Sequence, residues 1–371
     1  MSLEARLLKD TMLAGIVGKP NAGKTTLFNA LTGGACPVAS YRFTTIDPNK
    51  GVAFVPDERL ELIARVAGCE RRVPATMNFY DVAGLIEGAS RGEGLGNQFL
   101  ADVRSCDVLV HVVRGFDLDT EGPPRPIEDA RAVVVEFQLA DLELIERRLE
   151  KLTKKARTGD AEARREVAAL EEARAVLERG ELLATSDRTH ELRADISYLR
   201  DLITLKPVIY VLSVADPTGD REKKLFRELE EFAVSHGASA LMSAAEAEVE
   251  LARIEDAAER AELAQALGIE ESTVRAIARA AYERAGLISF FTTLSNECRA
   301  WELLSGSTAV DAAGKIHSDM ARGFIKAEVV FWEDLVSCGS WAAAREAGKV
   351  LVEGREYVVR DGDVIIFKFN A

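Results

Sequence analysis

Residues 18–25 read GKPNAGKT, and this stretch decides how the whole chain is interpreted. It fits the pattern G-x-x-x-x-G-K-S/T, follows the apolar run Met12–Val17 and opens a segment with helical spacing, Gly23–Leu31. A glycine-rich turn between a strand and a helix lets backbone N–H groups surround a polyphosphate at the positive end of the helix dipole. The sequence therefore predicts a loop that binds the phosphates of a nucleotide.

The polar residues of this loop have separate predicted roles. Lys24 is expected to neutralise charge on the β- and γ-phosphates, and Thr25 to ligate Mg²⁺. Asn21 is a candidate ligand for K⁺, and the alternative role for its side chain is to hold the loop by hydrogen bonds. The predicted nucleotide-binding residues of the loop are Asn21, Ala22, Gly23, Lys24, Thr25 and Thr26.

A second motif, FYDVAG, occupies residues 79–84. In many P-loop switches a strand ending in Asp holds the outer shell of the metal, and the glycine that follows senses the γ-phosphate. Between the two motifs, YRFTTI at residues 41–46 is a candidate switch in which Thr45 reaches Mg²⁺, although an ordinary loop threonine is the alternative. The predicted catalytic residues are Lys24, Thr45 and Gly84, and the predicted metal ligands are Thr25, Thr45 and Asp81.

Leu85 lies where many GTPases have a glutamine that orients the attacking water. Because leucine has no donor or acceptor, unaided turnover should be slow, on the order of 10⁻⁴ to 10⁻² s⁻¹. A partner or a monovalent cation would then have to stabilise the transition state. The alternative is a regulatory module that binds nucleotide with little or no hydrolysis. A small-molecule kinase is disfavoured because no segment resembles a lid for an acceptor substrate.

Base recognition is expected where the strand Val208–Leu212 ends in SVAD, residues 213–216. Guanine sites normally use N-K-x-D, and here the Asp is present while the Asn and Lys are absent. Unpaired buried polar groups can reject a wrong base by roughly 10⁴- to 10⁵-fold, so this tetrapeptide leaves ATP versus GTP open. The predicted base-site residues are Val214, Asp216, Ser243 and Ala244.

Composition excludes several classes of protein. A chain of 371 residues is too long for one ordinary domain, and a net charge of −14 argues against coating nucleic acid with the whole surface. Apolar runs such as Val108–Val113 are far shorter than the roughly 20 residues that cross a bilayer, so no membrane contact and a cytoplasmic location are expected. Five scattered cysteines and four histidines show neither disulfide nor zinc spacing, and His111 should be a hydrogen-bonded core residue.

A helical insertion interrupts the α/β pattern. From Ile127 to Leu205 apolar residues recur at three- and four-residue spacing, and a turn at Gly159 splits the stretch, which predicts a long antiparallel hairpin. Its tip, Arg147–Arg165, has eight cations and three anions. Local contact with RNA phosphates is the functional interpretation of this charge, and a solvated helical face is the alternative.

The remaining pattern predicts the division into domains. The α/β alternation resumes at Pro207–Val214, and after Gly286 the chain becomes rich in β-like runs with one short helix near Val310. These runs are Leu287–Leu294, Phe324–Phe331, Tyr357–Arg360 and Val364–Phe369. The predicted parts are a P-loop G domain at residues 1–126 and 206–286, the inserted hairpin at 127–205 and a C-terminal domain at 287–371.

With these residues in view, the chain resembles the Obg-like ATPases, the YchF family of P-loop switch proteins. The resemblance rests on residues 18–25, DVAGL at 81–85, GASRGEGLGNQFL at 88–100, HVVR at 111–114, AAGKIH at 312–317 and DGDV at 361–364. It implies an α/β fold with a TRAFAC-class G domain containing a mostly parallel sheet, an inserted coiled-coil hairpin and a C-terminal β-grasp, TGS-like domain. It also implies a hydrophobic residue in place of the catalytic glutamine, in agreement with Leu85.

The resemblance further implies a Mg²⁺-dependent switch that hydrolyses ATP, and GTP less well. It implies association with the ribosome, where we expect the large subunit and its rRNA to meet the hairpin tip. Three departures from the family pattern stand out. SVAD replaces Asn-(Val/Met)-x-Glu, Lys19 replaces a usual leucine, and the loop Gly115–Ile127 lacks the histidine that relatives carry. We therefore expect a divergent or slower member.

Overall fold

A computed structural model of the chain describes residues 12–33, 49–82, 95–185, 201–269, 272–294 and 296–370. The chain forms two compact units. The first contains Met12–Val52 and Asn78–Ile277, and the second contains Ala53–Met77 and Ala278–Ala371.

The centre of the first unit is a sheet of mostly parallel strands. Its strands are β1 (Leu13–Val17), β2 (Lys50–Phe54), β4 (Thr76–Asp81), β5 (Val108–Arg114), β6 (Val208–Ser213) and β7 (Ser239–Ser243), in the order β2-β4-β1-β5-β6-β7. β1 pairs in parallel with β4 and β5, and β6 pairs in parallel with β5 and β7. All seven residues of β5 are buried, as expected of a strand covered on both faces. The carboxyl ends of β1, β4, β5 and β6 therefore meet at one edge, where a site can form.

Helices lie between these strands and after the last of them. They are α1 (Lys24–Thr32), α3 (Leu95–Ser105), α6 (Asp220–Ser235), α7 (Ala245–Ala252), α8 (Ala257–Ala266) and α9 (Thr273–Arg284). α1 follows β1 directly after the glycine-rich loop, which confirms the predicted strand, loop and helix. α6 buries Leu229, Phe232 and Ala233 on the face toward the core and carries acidic residues in its first turn.

The predicted helical hairpin is confirmed and consists of α4 (Pro126–Arg157) and α5 (Ala161–Glu178). The apolar face expected from the spacing is the buried seam, since Ala163, Leu170, Ala173 and Leu177 pack in one cluster. Asp160 begins α5 by accepting from the backbone N–H groups of Glu162 and Ala163. Among the described residues, short 3₁₀ turns follow at Leu183–Thr185 and at Ile203–Leu205.

Buried polar groups fix the base of the hairpin. The carboxylate of Asp141 on α4 accepts from the backbone N–H groups of Ile203 and Thr204 and from the Thr204 hydroxyl, at 2.7–3.0 Å. Lys206 donates to the carbonyl oxygens of Arg104 and Cys106 at the end of α3. Because each of these buried polar groups has a hydrogen-bond partner, the base of the hairpin is held in place despite the free-energy cost of burying charge.

The second unit is a mixed sheet with helices. It contains α2 (Glu58–Ala67), β3 (Arg71–Val73), β8 (Leu287–Leu294), β9 (Glu297–Leu304), α10 (Ala309–Ile316), α11 (Ser318–Arg322), β10 (Phe324–Phe331), α12 (Trp332–Cys338), α13 (Trp341–Glu346), β11 (Leu351–Glu353) and β12 (Asp363–Phe369). The order is β11-β10-β12-β8-β9-β3, with β12 and β8 parallel and β8 and β9 antiparallel. α10 packs Ala309, Ala312 and Ala313 on the sheet, as in the predicted β-grasp arrangement.

The compact units divide the chain differently from the predicted domains. The sequence predicts residues 53–77 as part of the G domain, whereas α2 and β3 belong to the second unit, in which β3 pairs with β9. The run Tyr357–Arg360 is not a strand and makes one isolated bridge, from Val358 to Thr308. In the parts of the chain described above, no helix is long and apolar enough to span a membrane.

Candidate nucleotide-binding site

The phosphate-binding loop is fitted tightly against the ends of β5 and β6. Gly18 and Gly23 have φ values of 148° and 95°, which favour glycine, and Asn21 has a φ of 59°. A Cβ atom on Gly18 would lie 2.3 Å from the carbonyl oxygen of Val112, and one on Gly23 would lie 2.6 Å from Ser213 Oγ. Both positions therefore require glycine for two reasons: the backbone conformation favours it, and a Cβ atom would collide with a neighbouring strand.

Helix α1 begins at this loop, and no side-chain cap is present at its first turn among the described residues. Gly23 supplies no side-chain cap, and the first turn, which includes Lys24 and Thr25, has no acidic residue. By contrast, Asp57 caps α2 and Asp160 caps α5. The first N–H groups of a helix lack partners within it and carry partial positive charge, so this terminus suits an anion such as a phosphate.

Lys24 lies beneath the loop. Its side chain is buried, and Nζ donates to the carbonyl oxygen of Lys19 at 2.8 Å. Burial lowers the pKa of Lys24 from its ordinary value, and the charge of Asp81 offsets part of that fall. The ammonium group is thus held at the centre of the loop, where it could neutralise a bound polyphosphate.

Thr25 and Asp81 come together as the sequence predicts. The Thr25 hydroxyl at the start of α1 donates to Asp81 Oδ2 at the end of β4, at 2.7 Å. A hydroxyl and a carboxylate are the hard oxygen donors that Mg²⁺ prefers, so this pair fits the metal that the motif implies. The predicted residues Thr45 and Gly84, together with Leu85, lie outside the described residues.

Arg114 is a structural residue of the site that the sequence analysis did not identify. It ends β5, is buried, and its guanidinium donates to the carbonyl oxygens of Phe116, Gly122 and Pro123 at 2.7–3.4 Å. The signal that could have identified it is an arginine ending an otherwise apolar strand, because a buried guanidinium requires several acceptors. Arg114 fixes the course of the segment that follows β5.

Two acidic residues from beyond β5 hold side chains of the phosphate-binding loop. Asn21 Nδ2 donates to Glu121 Oε1 at 2.9 Å. Lys19 Nζ lies 3.0 Å from a carboxylate oxygen of Asp129 on α4. Sequence reasoning missed both acids, which are about 100 residues from their partners and belong to no motif. Lys19, which departs from the leucine usual in the family, therefore has an ion-pair partner in Asp129.

The predicted base-binding residues lie at the ends of β6 and β7. Ser213 is paired with Ser243, and the backbone N–H of Val214 donates to the Ser243 carbonyl oxygen at 2.9 Å. Ser243 and Ala244 are both buried. Asp216 Oδ1 accepts from the Thr218 hydroxyl and backbone N–H at 2.6 and 2.8 Å, and these bonds lower the pKa of Asp216.

His111 is buried in β5, as the sequence predicts. Within the described residues its Nε2 atom has no partner. Burial, together with the charge of Lys24, lowers the pKa of His111 to about 3, so the ring is neutral at physiological pH. Its neighbour on β6 is Tyr210, whose ring centre is 5.2 Å away.

Charges at the hairpin tip are only partly paired. Arg148 contacts Glu166 across the two helices at 2.8 Å, and Arg147 contacts Glu143. Lys154, Lys155 and Arg157 are exposed, and no ion pair involves them within the described part of the chain. The tip therefore presents a small, open group of cations.

Comparison with known proteins decides the family. The Ribosome-binding ATPase YchF of Escherichia coli O157:H7 is 41% identical over 360 residues, covering 96% of this chain and 98% of the relative. The chain belongs to the YchF family. The protein of the same name from Bacillus subtilis (strain 168) is 41% identical over 368 residues, covering 97% of this chain and 99% of that protein.

Family models and a solved structure agree with this membership. A model described as "50S ribosome-binding GTPase" matches residues 13–155, and the YchF-GTPase_C model, described as "Protein of unknown function (DUF933)", matches residues 287–370. The structure of the Schizosaccharomyces pombe YchF GTPase has a TM-score of 0.82 at 32% identity, covering 96% of this chain and 98% of that chain. The predicted fold class of this YchF-family chain is thereby confirmed.

Proposed function

We propose that this chain is a Mg²⁺-dependent P-loop ATPase that hydrolyses ATP slowly and associates with the ribosome in the cytoplasm. One arrangement supports the enzyme function most directly. Lys24 is buried under the loop and the Thr25–Asp81 pair lies beside it, at the uncapped start of α1. Its relatives in Escherichia coli and Bacillus subtilis carry the name ribosome-binding ATPase.

Each predicted residue of the phosphate-binding loop and of the metal site has a role in this proposal. The backbone N–H groups of residues 21–26 bind the phosphates, and Lys24 neutralises the charge that develops as the γ-phosphate leaves. Thr25 and Asp81 would hold the metal together with Thr45, and the Gly84 N–H would sense the γ-phosphate. Mg²⁺, when bound, supplies positive charge opposite the phosphate oxygens. We propose K⁺ as an additional cation beside Asn21.

Single-turnover hydrolysis tests the enzyme function against the binding-module alternative. Wild-type protein should release phosphate from ATP, and Lys24→Ala should lower that rate by roughly 10²- to 10³-fold, the usual loss when a transition-state charge partner is removed. The exposed Lys368→Ala is the matched control and should leave the rate unchanged. A wild-type rate equal to that of Lys24→Ala, with ATP still bound, would favour a module that binds without hydrolysis.

We propose that adenine is preferred over guanine. A guanine-reading carboxylate has to accept from N1–H and the exocyclic amine, but Asp216 Oδ1 already accepts two hydrogen bonds from Thr218. Dissociation constants for ATP and GTP, measured side by side, test this preference. Asp216→Ala should change ATP affinity by less than about threefold, because the side chain is engaged locally rather than with the base. Tighter binding of GTP than of ATP would contradict the proposal.

The hairpin tip is our proposed ribosome contact, directed at rRNA of the large subunit. Lys154, Lys155 and Arg157 are exposed on a chain whose net charge is −14, so they form a local site for phosphate rather than part of a general basic surface. We also propose that residues 287–371 form a TGS-like domain that takes part in the same contact. Binding measured with each separated ribosomal subunit distinguishes contact with the large subunit from contact with the small one.

A further inference from the structure

The segment between β5 and α4, residues 115–125, forms a fixed turn beside the phosphate-binding loop. Its carbonyl oxygens are held by the buried Arg114, as described above. Leu118 and Gly122 form an antiparallel bridge, and Gly122 has a φ of 67°, which closes the turn tightly. The Gly115 N–H donates to the Ser213 carbonyl oxygen at 2.7 Å, so the turn is also fixed to β6.

This turn places the carboxylate of Glu121 between two partners. Oε1 accepts from Asn21 Nδ2 at 2.9 Å, and Oε2 lies 3.7 Å from Nε of Arg114. Arg114 is buried and is held independently by three carbonyl oxygens, so its position does not depend on Glu121. The Glu121 carboxylate therefore links a fixed guanidinium to a side chain of the phosphate-binding loop.

Carboxylate chemistry sets the orientation of the Asn21 amide. An ionised carboxylate only accepts hydrogen bonds, so the amide atom facing Glu121 must be the NH₂ group. With Nδ2 engaged, Oδ1 points away from Glu121, and the Asn21 side chain is exposed. The left-handed backbone at Asn21, with a φ of 59°, limits other ways of presenting the side chain. On the side away from Glu121, Asn21 thus offers an acceptor, to which a phosphate oxygen cannot hydrogen-bond.

We propose that Glu121 is a positioning residue that keeps the Asn21 amide from turning its NH₂ group onto a bound phosphate. Its effect is to reserve Asn21 Oδ1 for a cation beside the polyphosphate. This inference rests on the proposed nucleotide site and adds to it a residue outside every motif of the sequence. Without Glu121, the amide could rotate and donate to a phosphate, which would strengthen binding while removing an acceptor that the reaction uses.

The test compares Glu121→Ala with Glu128→Ala, an exposed glutamate seven residues further along the chain. Glu121→Ala should lower kcat about tenfold while ATP and ADP bind as tightly as to wild type or up to about threefold more tightly, since a new amide–phosphate bond adds stabilising energy. The ratio of rates in KCl and NaCl should also approach one. Glu128→Ala should leave all three quantities within about twofold of wild type.

Glu121→Gln provides the rescue, because its amide oxygen can still accept from Asn21 Nδ2. Its kcat should lie closer to wild type than that of Glu121→Ala. Unchanged kcat in Glu121→Ala would overturn the inference, and so would a parallel loss of kcat and affinity, which indicates only a disturbed loop. Absence of ATP turnover in wild type would instead refute the proposed function. In that case the contact between Asn21 and Glu121 can still be tested by the NMR resonance of the Asn21 side-chain NH₂ group in nucleotide-free protein. The same chemical shift in wild type and in Glu121→Ala would overturn the inference.

Discussion

The phosphate-binding loop and the hairpin tip both carry basic side chains, but they hold them in opposite ways. In the loop, Lys24 is buried and fixed on a carbonyl oxygen, and Lys19 is paired with Asp129. At the tip, Lys154 and Lys155 are exposed and, among the described residues, have no ion-pair partner. A fixed ammonium group can recognise a ligand of one shape, whereas mobile surface cations recognise negative charge. We therefore expect ATP binding at the loop to respond to the addition of single atoms, and ribosome association through the tip to respond to net charge.

The largest expected effect comes from adding one methyl group to the loop. Gly23 and Gly159 have nearly equal φ values, 95° and 100°, but only at Gly23 would a Cβ collide, lying 2.6 Å from Ser213 Oγ. Gly23→Ala should weaken ATP binding by about a hundredfold or more, because the loop N–H groups must shift from the phosphates. Calorimetric titration of ATP measures the loss.

Gly159→Ala at the hairpin turn is the matched control for backbone strain. Its nearest neighbour would be the flexible end of Arg164, at 4.0 Å. This variant should lose about 1–2 kcal/mol of stability and retain its ATP affinity. Equal loss of ATP affinity in both variants would show that strain, rather than the fit against β6, determines the need for glycine.

An intermediate effect, a loss of stability, is expected for two aspartates of the hairpin that accept hydrogen bonds from backbone N–H groups in different surroundings. Asp141 at the base and Asp160 at the tip each accept from two backbone N–H groups, but only Asp141 is fully buried. Asp141→Ala should cost about 2–3 kcal/mol, because it leaves buried donors unpaired, and Asp160→Ala about 1 kcal/mol. Chemical denaturation measures both, and equal losses would contradict the importance of burial.

The pH dependence of stability gives a second measurement of Asp141. Burial raises the pKa of Asp141 to about 6, above its value in the unfolded chain. A raised pKa means that the folded state binds the proton more tightly, so this stabilising contribution is lost as the pH rises through about 6. Asp141→Asn cannot ionise, and its unfolding free energy should fall less than that of wild type between pH 4 and pH 7. Parallel curves would contradict the raised pKa.

The smallest effect on the fold is expected from reversing charge at the tip. The triple variant Lys154→Glu, Lys155→Glu and Arg157→Glu should change stability by less than about 0.5 kcal/mol, since these side chains are exposed. The same variant should reduce co-sedimentation with ribosomes by about tenfold at physiological salt, because several phosphate contacts become repulsive.

A matched triple variant, with Lys223, Lys224 and Arg227 changed to Glu, introduces the same charge change at exposed positions of another helix, α6. It should co-sediment as the wild type does. Equal losses in the two triple variants would mean that net charge alone, and not the tip, determines ribosome association.

The sequence predicted those parts of the site whose spacing follows from the backbone. A loop between a strand and a helix has few conformations that surround phosphate, so GKPNAGKT and FYDVAG predict that Thr25 and Asp81 lie close together, and their side chains are hydrogen-bonded. The seam of the hairpin followed from helical periodicity in the same way. These predictions depended on local geometry, which short motifs encode.

The remaining features depend on partners distant in the chain. Glu121 belongs to the loop only through its hydrogen bond with Asn21, which is 100 residues away in the chain. Strand β3 has three residues, two of them exposed, and forms because β9 offers its edge. β9 alternates charged and apolar residues only over its first four residues, and it forms a strand along its whole length by pairing with β8.

The central claim is that the loop Gly18–Thr25, with Thr25 and Asp81, binds the triphosphate of a nucleotide together with Mg²⁺. Equilibrium titration of purified protein with ATP, in the presence and absence of Mg²⁺, tests it most directly. The account predicts saturable binding of one ATP per chain, which Mg²⁺ strengthens in wild type but not in Asp81→Ala. No saturable binding of ATP or GTP with Mg²⁺ present, or equal Mg²⁺ dependence in both proteins, would contradict it.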